Sequence, residues 1–431
     1  MSYLESIPAI VKMIMIFIVV LLCIQKKLSL GNAFLLGTAL LSLLFGLKPL
    51  ATVKSAFASI TDPKTLALAA VVSLILVLSS SMELAGQMQR MLNNFQGRVA
   101  SPRLNLVIFP ALIGLLPMPG GAVFSAPMVK ELGTRSKLSQ AQLSFVNYWF
   151  RHIWENWWPL YPGILLTTVI TEISLLTIIA IMCPFTVVAV WLGYRTLRGF
   201  GGLPTNNDRN APMPWWPFIN ELLPILVVIF GGLGMGVVFS KSFPAFLLSK
   251  ETGLILALCL AIGWVWHQNR TSKKQILATL ANPQLLKMIY MIVCILIFKG
   301  ILTDSRAAAA ISQELIQMHI PLMLIAVVLP FLVGMSSGIF VAFVGSSLPI
   351  LLPLIQSLGE IQYLPAYVML ILVSGYTGML LSPLHLCLQL SNAYFGVGLG
   401  SVYRLLYVPC VSLIAAGMAY FGVLHWLWQW S

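Results

Sequence analysis

The stretch Asn147-Tyr-Trp-Phe-Arg151-His152-Ile-Trp-Glu155-Asn156-Trp-Trp-Pro159-Leu-Tyr-Pro162-Gly163 gathers a guanidinium, an imidazole and a carboxylate in an otherwise apolar run. Read as a helix from Gln140, it sets Tyr148, Arg151, His152 and Glu155 at i, i+3, i+4 and i+7, on one face. The planar fork of an arginine matches a carboxylate with two parallel hydrogen bonds. An imidazole and a carboxylate beside it can exchange a proton, and the amide of Asn147 adds a polar contact. Pro159 and Pro162 have no N–H, so the helix is expected to break there and free the carbonyls of Glu155 and Trp158. An Arg151–Glu155 ion pair that only pins helices is the plainer reading. The presence of His152 and Asn147 favours a substrate and proton site.

A second polar set lies far along the chain: Gly378, Ser382, Pro383, His385, Gln389 and Asn392. On a helix all but the proline share one stripe, which reads as a cavity wall. Two glycine-bearing segments offer further groups. Pro117-Met118-Pro119-Gly120-Gly121 presents backbone, with glycine permitting close approach. Ser336-Ser337-Gly338 adds hydroxyls, and Ser346-Ser347 follow on the next leg. Gly334-Met335-Ser336-Ser337-Gly338 also matches the nucleophile pattern G-x-S-x-G, with His385 as a conceivable base. The strand–turn–helix context that gives that pattern meaning is absent. No HExxH, phosphate-loop or dinucleotide motif occurs, and no cofactor is expected.

The elements that position these groups must be membrane helices. The chain has 431 residues, 59% hydrophobic and 9% charged, with mean hydropathy +0.93. A soluble domain is nearer a quarter charged. The net charge of +13 sits in short loops, as topology-setting charge against anionic lipid. No basic-aromatic patch suits a nucleic acid. The six cysteines lie in apolar runs without metal-ligand spacing and read as small hydrophobes. Glu5 stands where a signal peptide carries positive charge, so the first apolar segment is expected to remain as a helix.

A helix needs about 20 residues to cross a ~30 Å hydrocarbon core. Crossings are expected near 8–25, 28–48, 65–85, 140–170 and 174–195, then 217–238, 246–266, 285–303, 364–395 and 403–428. Arg151, about 16 Å along a helix from Gln140, falls near the midplane. Residues 104–130 and 320–352 are each broken midway and read as re-entrant hairpins, whose irregular tips must be buried or line a cavity. Pro110-x3-Gly114 recurs as Pro330-x3-Gly334, Pro127 matches Pro349, and Pro159 matches Pro383. The chain therefore divides into repeat 1 (1–199), a Gly- and Pro-rich linker (200–216) and repeat 2 (217–431).

Five crossings per repeat is odd, so the second copy must be inverted. With both termini outside, 16 Lys and Arg face the cytoplasm, among them Lys26, Arg90, Lys130, Arg195, Lys273 and Arg404. Eight face outward, among them Lys48, Lys64, Lys250 and Arg306, and Arg151 completes the 25.

Two inverted repeats of five spans plus a re-entrant hairpin resemble the ion transporter superfamily of secondary carriers. Within it, LPMPGGAVFSAPMV and NYWFRHIWENWWPLYPG look like a prokaryotic integral membrane family. The resemblance implies an elevator mechanism in the cytoplasmic membrane, usually in a homodimer, with substrate between the two hairpin tips and the broken helices. Sodium-coupled relatives carry Ser-Asn-Thr at both tips. Here Pro-Met-Pro-Gly-Gly and Ser-Ser-Gly stand instead, which points away from sodium.

The expected activity is proton-coupled transport of a small organic anion. Asn147, Arg151, Gly120, Gly121, Ser336, Ser337, Gly338, Ser382 and His385 would bind substrate, and His152 and Glu155 would handle the proton. A cation/proton antiporter with Glu155 as ion ligand is the alternative, and an intramembrane serine hydrolase using Ser336 the remote one. The partners are the anion with H⁺ (or Na⁺) and membrane lipid, without nucleic acid.

Overall fold

A computed structural model describes residues 6–99, 101–118, 120–135, 138–197, 214–243 and 248–428. Pro119 and most of the expected linker, residues 200–213 of 200–216, lie outside them. Among the described residues every regular element is a helix, so backbone polar groups are satisfied within each segment, as a hydrocarbon environment demands.

The first half begins with α1 (Ala9–Gln25), α2 (Leu30–Leu44), α3 (Pro49–Thr61), α4 (Pro63–Leu84) and α5 (Gln87–Phe95). Two legs follow, α6 (Pro102–Ile113) and α7 (Ala122–Arg135), then α8 (Gln140–Arg151), α9 (Pro162–Thr171), α10 (Leu175–Met182) and α11 (Pro184–Arg195). The second half runs α12 (Trp216–Leu226), a π turn, α13 (Gly232–Ser242), α14 (Ser249–Gln268), α15 (Lys273–Leu280), α16 (Pro283–Asp304) and α17 (Ala307–Gln317). It ends with legs α18 (Leu322–Ser337) and α19 (Phe340–Ser357), then α20 (Leu364–Leu380), α21 (Leu386–Phe395) and α22 (Leu399–Trp428).

Seven helical stretches among the described residues are long and apolar enough to cross a membrane: 63–84, 175–195, 216–242, 273–304, 340–357, 361–380 and 399–428. Together with the composition, they mark an integral membrane protein. The crossings expected at 8–25 and 28–48 are apolar helices of 17 and 15 residues. The short α3, α5, α15 and α17 went unforeseen, because a window sized for a membrane span passes over helices of 8 to 13 residues.

The order of elements occurs twice, and its local chemistry recurs with it. Helices α4 and α16 are both 22 residues long. Each opens on an Asx side chain, Asp62 or Asn282, that accepts a backbone N–H, and each has proline at its first position. Helices α5 and α17 each start from a left-handed residue, Gly86 and Arg306. The starts are offset by 220 residues from Pro63 to Pro283, Gln87 to Ala307 and Pro102 to Leu322, and by 224 from Gln140 to Leu364 and Pro162 to Leu386.

Packing is reciprocal: α2 lies on α16 and α14 on α4, while α19 lies on α9 and α7 on α21. At two matched crossings only glycine fits. A Cβ at Gly114 would meet the Arg151 carbonyl, and one at Gly334 the Gly375 carbonyl, so each first leg touches its broken helix through backbone.

Three local expectations are corrected. The second hairpin does not break from Gly334 to Gly338. Helix α18 continues to Ser337, and the turn is Gly338 (φ +65°) with Ile339. The stripe from Gly378 to Asn392 is not continuous, because α20 ends at Leu380 and α21 starts at Leu386. The first broken helix ends at Arg151, eight residues before Pro159. At the start of α4, Lys64 bonds Glu172 in the connection after α9 at 2.6 Å and holds its carboxyl below the usual carboxylate range. Both side chains are exposed enough that the pair adds little stability.

Candidate functional site

The carbonyls left by the broken helices are the first thing the site must satisfy. Aromatic side chains do this. Trp154 Nε1 donates to the Ala111 carbonyl (2.9 Å), Trp158 Nε1 to Leu115 (2.8 Å) and Tyr161 Oη to Gly114 (2.8 Å), all at the end of α6. Tyr148 Oη reaches the Leu380 carbonyl (3.0 Å), Tyr403 Oη that of Leu381 (2.8 Å), and Tyr376 Oη that of His152 (2.8 Å). The Trp158 carbonyl, expected free because of Pro162, accepts the Tyr161 N–H (3.0 Å). The cluster of four aromatics from Trp154 to Tyr161 was the available sequence signal for this role. Their indole and phenol donors need buried partners.

With its helix ended, the segment after Arg151 runs on in turns, and the regular i, i+4 relation to Glu155 is lost. Arg151 is 3% exposed. Its Nη2 donates to the Met118 carbonyl at the first hairpin tip (2.7 Å), and its Nη1 to Cys387 Sγ on α21 (3.4 Å). Its Nε is buried without a partner. Among the described residues no carboxylate lies within 4.0 Å of the guanidinium, so the Arg151–Glu155 pair is not formed. Gly121 lies against the guanidinium, where a Cβ would collide with it. Gly120 beside it turns the chain with φ +76°.

His152 and His385 meet face to edge, Nε2 to Nε2 at 3.0 Å. His152 Nδ1 lies 2.6 Å from the Tyr148 carbonyl and His385 Nδ1 2.7 Å from the Gly338 carbonyl. The Tyr148 ring flanks both imidazoles, with centroids at 4.7 and 5.4 Å. Glu155 is buried, with Oε2 3.7 Å from His152 Nε2. The structure thus brings Arg151, His152, Glu155 and His385 together with the first tip and with Gly338. Cys387, read from sequence as apolar filler, touches the guanidinium. Its Sγ and one ring nitrogen of each histidine lie within 4.8 Å of one another.

Other expected ligands are used elsewhere. Asn147 donates to the Ala122 carbonyl (2.9 Å) and Ser391 Oγ (3.0 Å) and accepts from Ser125 Oγ (2.6 Å). It clasps α7, α8 and α21, with both of its side-chain N–H groups spent on protein partners. Ser336 Oγ donates to the Leu332 carbonyl (2.6 Å) and Ser337 Oγ to Val333 (2.7 Å), each back into its own helix. Ser382 Oγ accepts the Leu384 N–H (3.2 Å) inside the second break. Ser346 likewise donates to the Ala342 carbonyl, while Ser347 Oγ is buried without a partner. Gln389 is exposed and bonds the Pro383 carbonyl (2.8 Å), and Pro383 is itself exposed. Both ring nitrogens of His385 are engaged away from Ser336, which leaves the G-x-S-x-G serine without its base.

Comparison with known proteins follows this geometry. A family model described as "Protein of unknown function (DUF401)" matches residues 9–424. No curated protein matches the sequence. Among solved structures the chain is similar to the YdaH transporter of Alcanivorax borkumensis, whose crystal structure is described as revealing an unusual topology. The TM-score is 0.61 at 14% identity, over 88% of this chain and 89% of that one. At that identity the likeness is one of fold.

Proposed function

This chain belongs to the DUF401 family, and we propose that it is a secondary active transporter of a small organic anion, coupled to protons. The observation that carries this reading is Arg151: a buried guanidinium with no carboxylate partner among the described residues and one unpartnered N–H, set between the first hairpin tip and α21. A buried charge is normally paired, so the missing partner is read as the substrate's own negative charge. Glu155, buried beside His152, takes the coupling proton. The fold shared with a transporter supports transport in general.

The two halves are read as inverted repeats, each with a re-entrant hairpin, in an elevator-type carrier. The matched offsets and reciprocal packing support that reading. In it, α6 to α9 and α18 to α21 carry the substrate past α1, α2, α4, α12 to α14 and α16. By resemblance the unit is a homodimer in the cytoplasmic membrane, with both termini outside. Inversion requires hairpins that enter from opposite sides. Single cysteines placed at Arg135 and Glu360 should therefore be labelled by an impermeant reagent from opposite faces, and labelling from the same face refutes the inversion.

Substrate class is tested by thermal shift of the purified protein against carboxylates, sulfonates, phosphate and metal cations. An anion at ~100 times its Kd should stabilise the fold by about 2.7 kcal/mol. Stabilisation by cations alone refutes the anion site.

A further inference from the structure

We propose that one resident proton is held between Nε2 of His152 and Nε2 of His385, making the imidazole pair a fixed cation beside Arg151. The inference rests on the reading of this site as an anion site. A carbonyl oxygen only accepts hydrogen bonds, so the Tyr148 and Gly338 carbonyls require a proton on each Nδ1. A neutral imidazole then has a bare lone pair at Nε2. Two bare lone pairs 3.0 Å apart repel, whereas N–H···N at that distance is an ordinary hydrogen bond. A single shared proton resolves the contact and leaves the pair with one positive charge.

The surroundings fit. Glu155 Oε2, 3.7 Å from His152 Nε2, is the counter-charge. The other titratable or charged groups facing the pair are Arg151, Cys387 and Tyr148, with Tyr376 and Cys410 beyond them against Tyr148. A divalent ion in the proton's place would have Cys387 as third ligand, but that sulfur already receives the guanidinium N–H, and such an ion would set twice the bridge's charge against Arg151.

The bridge also joins the two halves, since His152 follows α8 and His385 precedes α21. It explains the charge of the site. Arg151, the bridge and ionised Glu155 sum to one positive charge. Adding a monoanion and a proton on Glu155 restores the same sum. Empty and loaded carriers then have equal charge, and the bridge proton stays behind as the cargo proton comes and goes.

The test is ¹⁵N NMR on histidine-labelled protein in detergent or nanodiscs, near neutral pH, with His152→Gln and His385→Gln for assignment. The expected result is a through-hydrogen-bond coupling between the two Nε2 nuclei, unchanged by anion binding and lost in either variant. Two uncoupled, unprotonated Nε2 signals, or a stoichiometric copurified metal ion, overturn the proposal. His385→Gln supplies a second readout, because its amide can still donate to His152 Nε2 while the charge is gone. Anion affinity should fall about tenfold with its pH slope intact, the slope belonging to Glu155. Unchanged affinity overturns the resident charge. Loss of anion binding in Arg151 variants together with an intact N–N coupling separates the two ideas, since the coupling is measured without substrate.

Discussion

Replacing Arg151 with alanine is expected to abolish anion uptake into proteoliposomes while the protein still purifies as a folded, monodisperse species. The side chain makes two hydrogen bonds inside the protein, to the Met118 carbonyl and Cys387 Sγ, and keeps Nε free. Removing it deletes the positive charge that the substrate must meet. A charge-assisted hydrogen bond is worth about 1.5–3 kcal/mol, so loss of even one weakens binding about 10- to 100-fold. Loss of the whole fork takes uptake below detection. The fold is expected to tolerate the change, because among the described residues the side chain has no carboxylate partner within 4.0 Å and the loss inside the protein is its bonds to Met118 and Cys387.

Arg151→Lys is the sharper test. It retains the charge but has no planar fork, so it cannot hold the Met118 carbonyl and present a second parallel donor at once. Uptake should fall sharply, with the loss expressed mainly as weaker binding. Normal transport by Arg151→Ala would make the residue structural or irrelevant and remove the basis of the anion reading.

The second large effect concerns the coupling ion. A bound anion adds negative charge beside Glu155 in a low-dielectric site, where like charges repel strongly. Substrate arrival therefore favours protonation of Glu155. By reciprocity, protonation must tighten anion binding by the same factor. The complex binds one more proton than the free carrier, so apparent affinity should rise as pH falls, by up to about tenfold per pH unit. Glu155→Gln mimics the protonated side chain and should bind the anion with much less pH dependence. Replacing K⁺ by Na⁺ should matter little, since Ser336 and Ser337 spend their hydroxyls on their own helix. Binding experiments across pH in the two salts decide it. Affinity that follows Na⁺ and ignores pH identifies sodium as the coupling ion and Ser347, with its unpartnered hydroxyl, as a better ligand to examine.

Much of this protein was determined by its sequence alone. Long uncharged runs leave hydrocarbon as the only adequate solvent, and a chain in hydrocarbon must close its own hydrogen bonds. Composition therefore settled the membrane and the helical class. The Pro-x3-Gly pairs placed the repeated elements, because a glycine is required wherever two backbones touch, as at Gly114 and Gly334. Arg151 and Glu155 stood out because buried charges are rare in such runs.

The tertiary structure decided the rest. Helical periodicity assumed that the segment runs on to Pro159, and so set Arg151 and Glu155 one turn apart on the same face. The helix instead ends at Arg151: the His152 carbonyl takes the phenol of Tyr376, Tyr148 reaches the Leu380 carbonyl, and the indoles of Trp154 and Trp158 reach carbonyls at the end of the first hairpin leg. Those partners lie 40 to more than 200 residues away, a distance over which local propensity carries no information. The same holds for the meeting of His152 with His385, 233 residues apart, and for Cys387, whose apolar neighbours in sequence conceal a charged neighbour in space. Asn147 shows the converse. Its type suggested a ligand, but three partners on other helices take both its N–H groups and one bond to its oxygen, and whether a buried amide is free depends on what the fold brings to it.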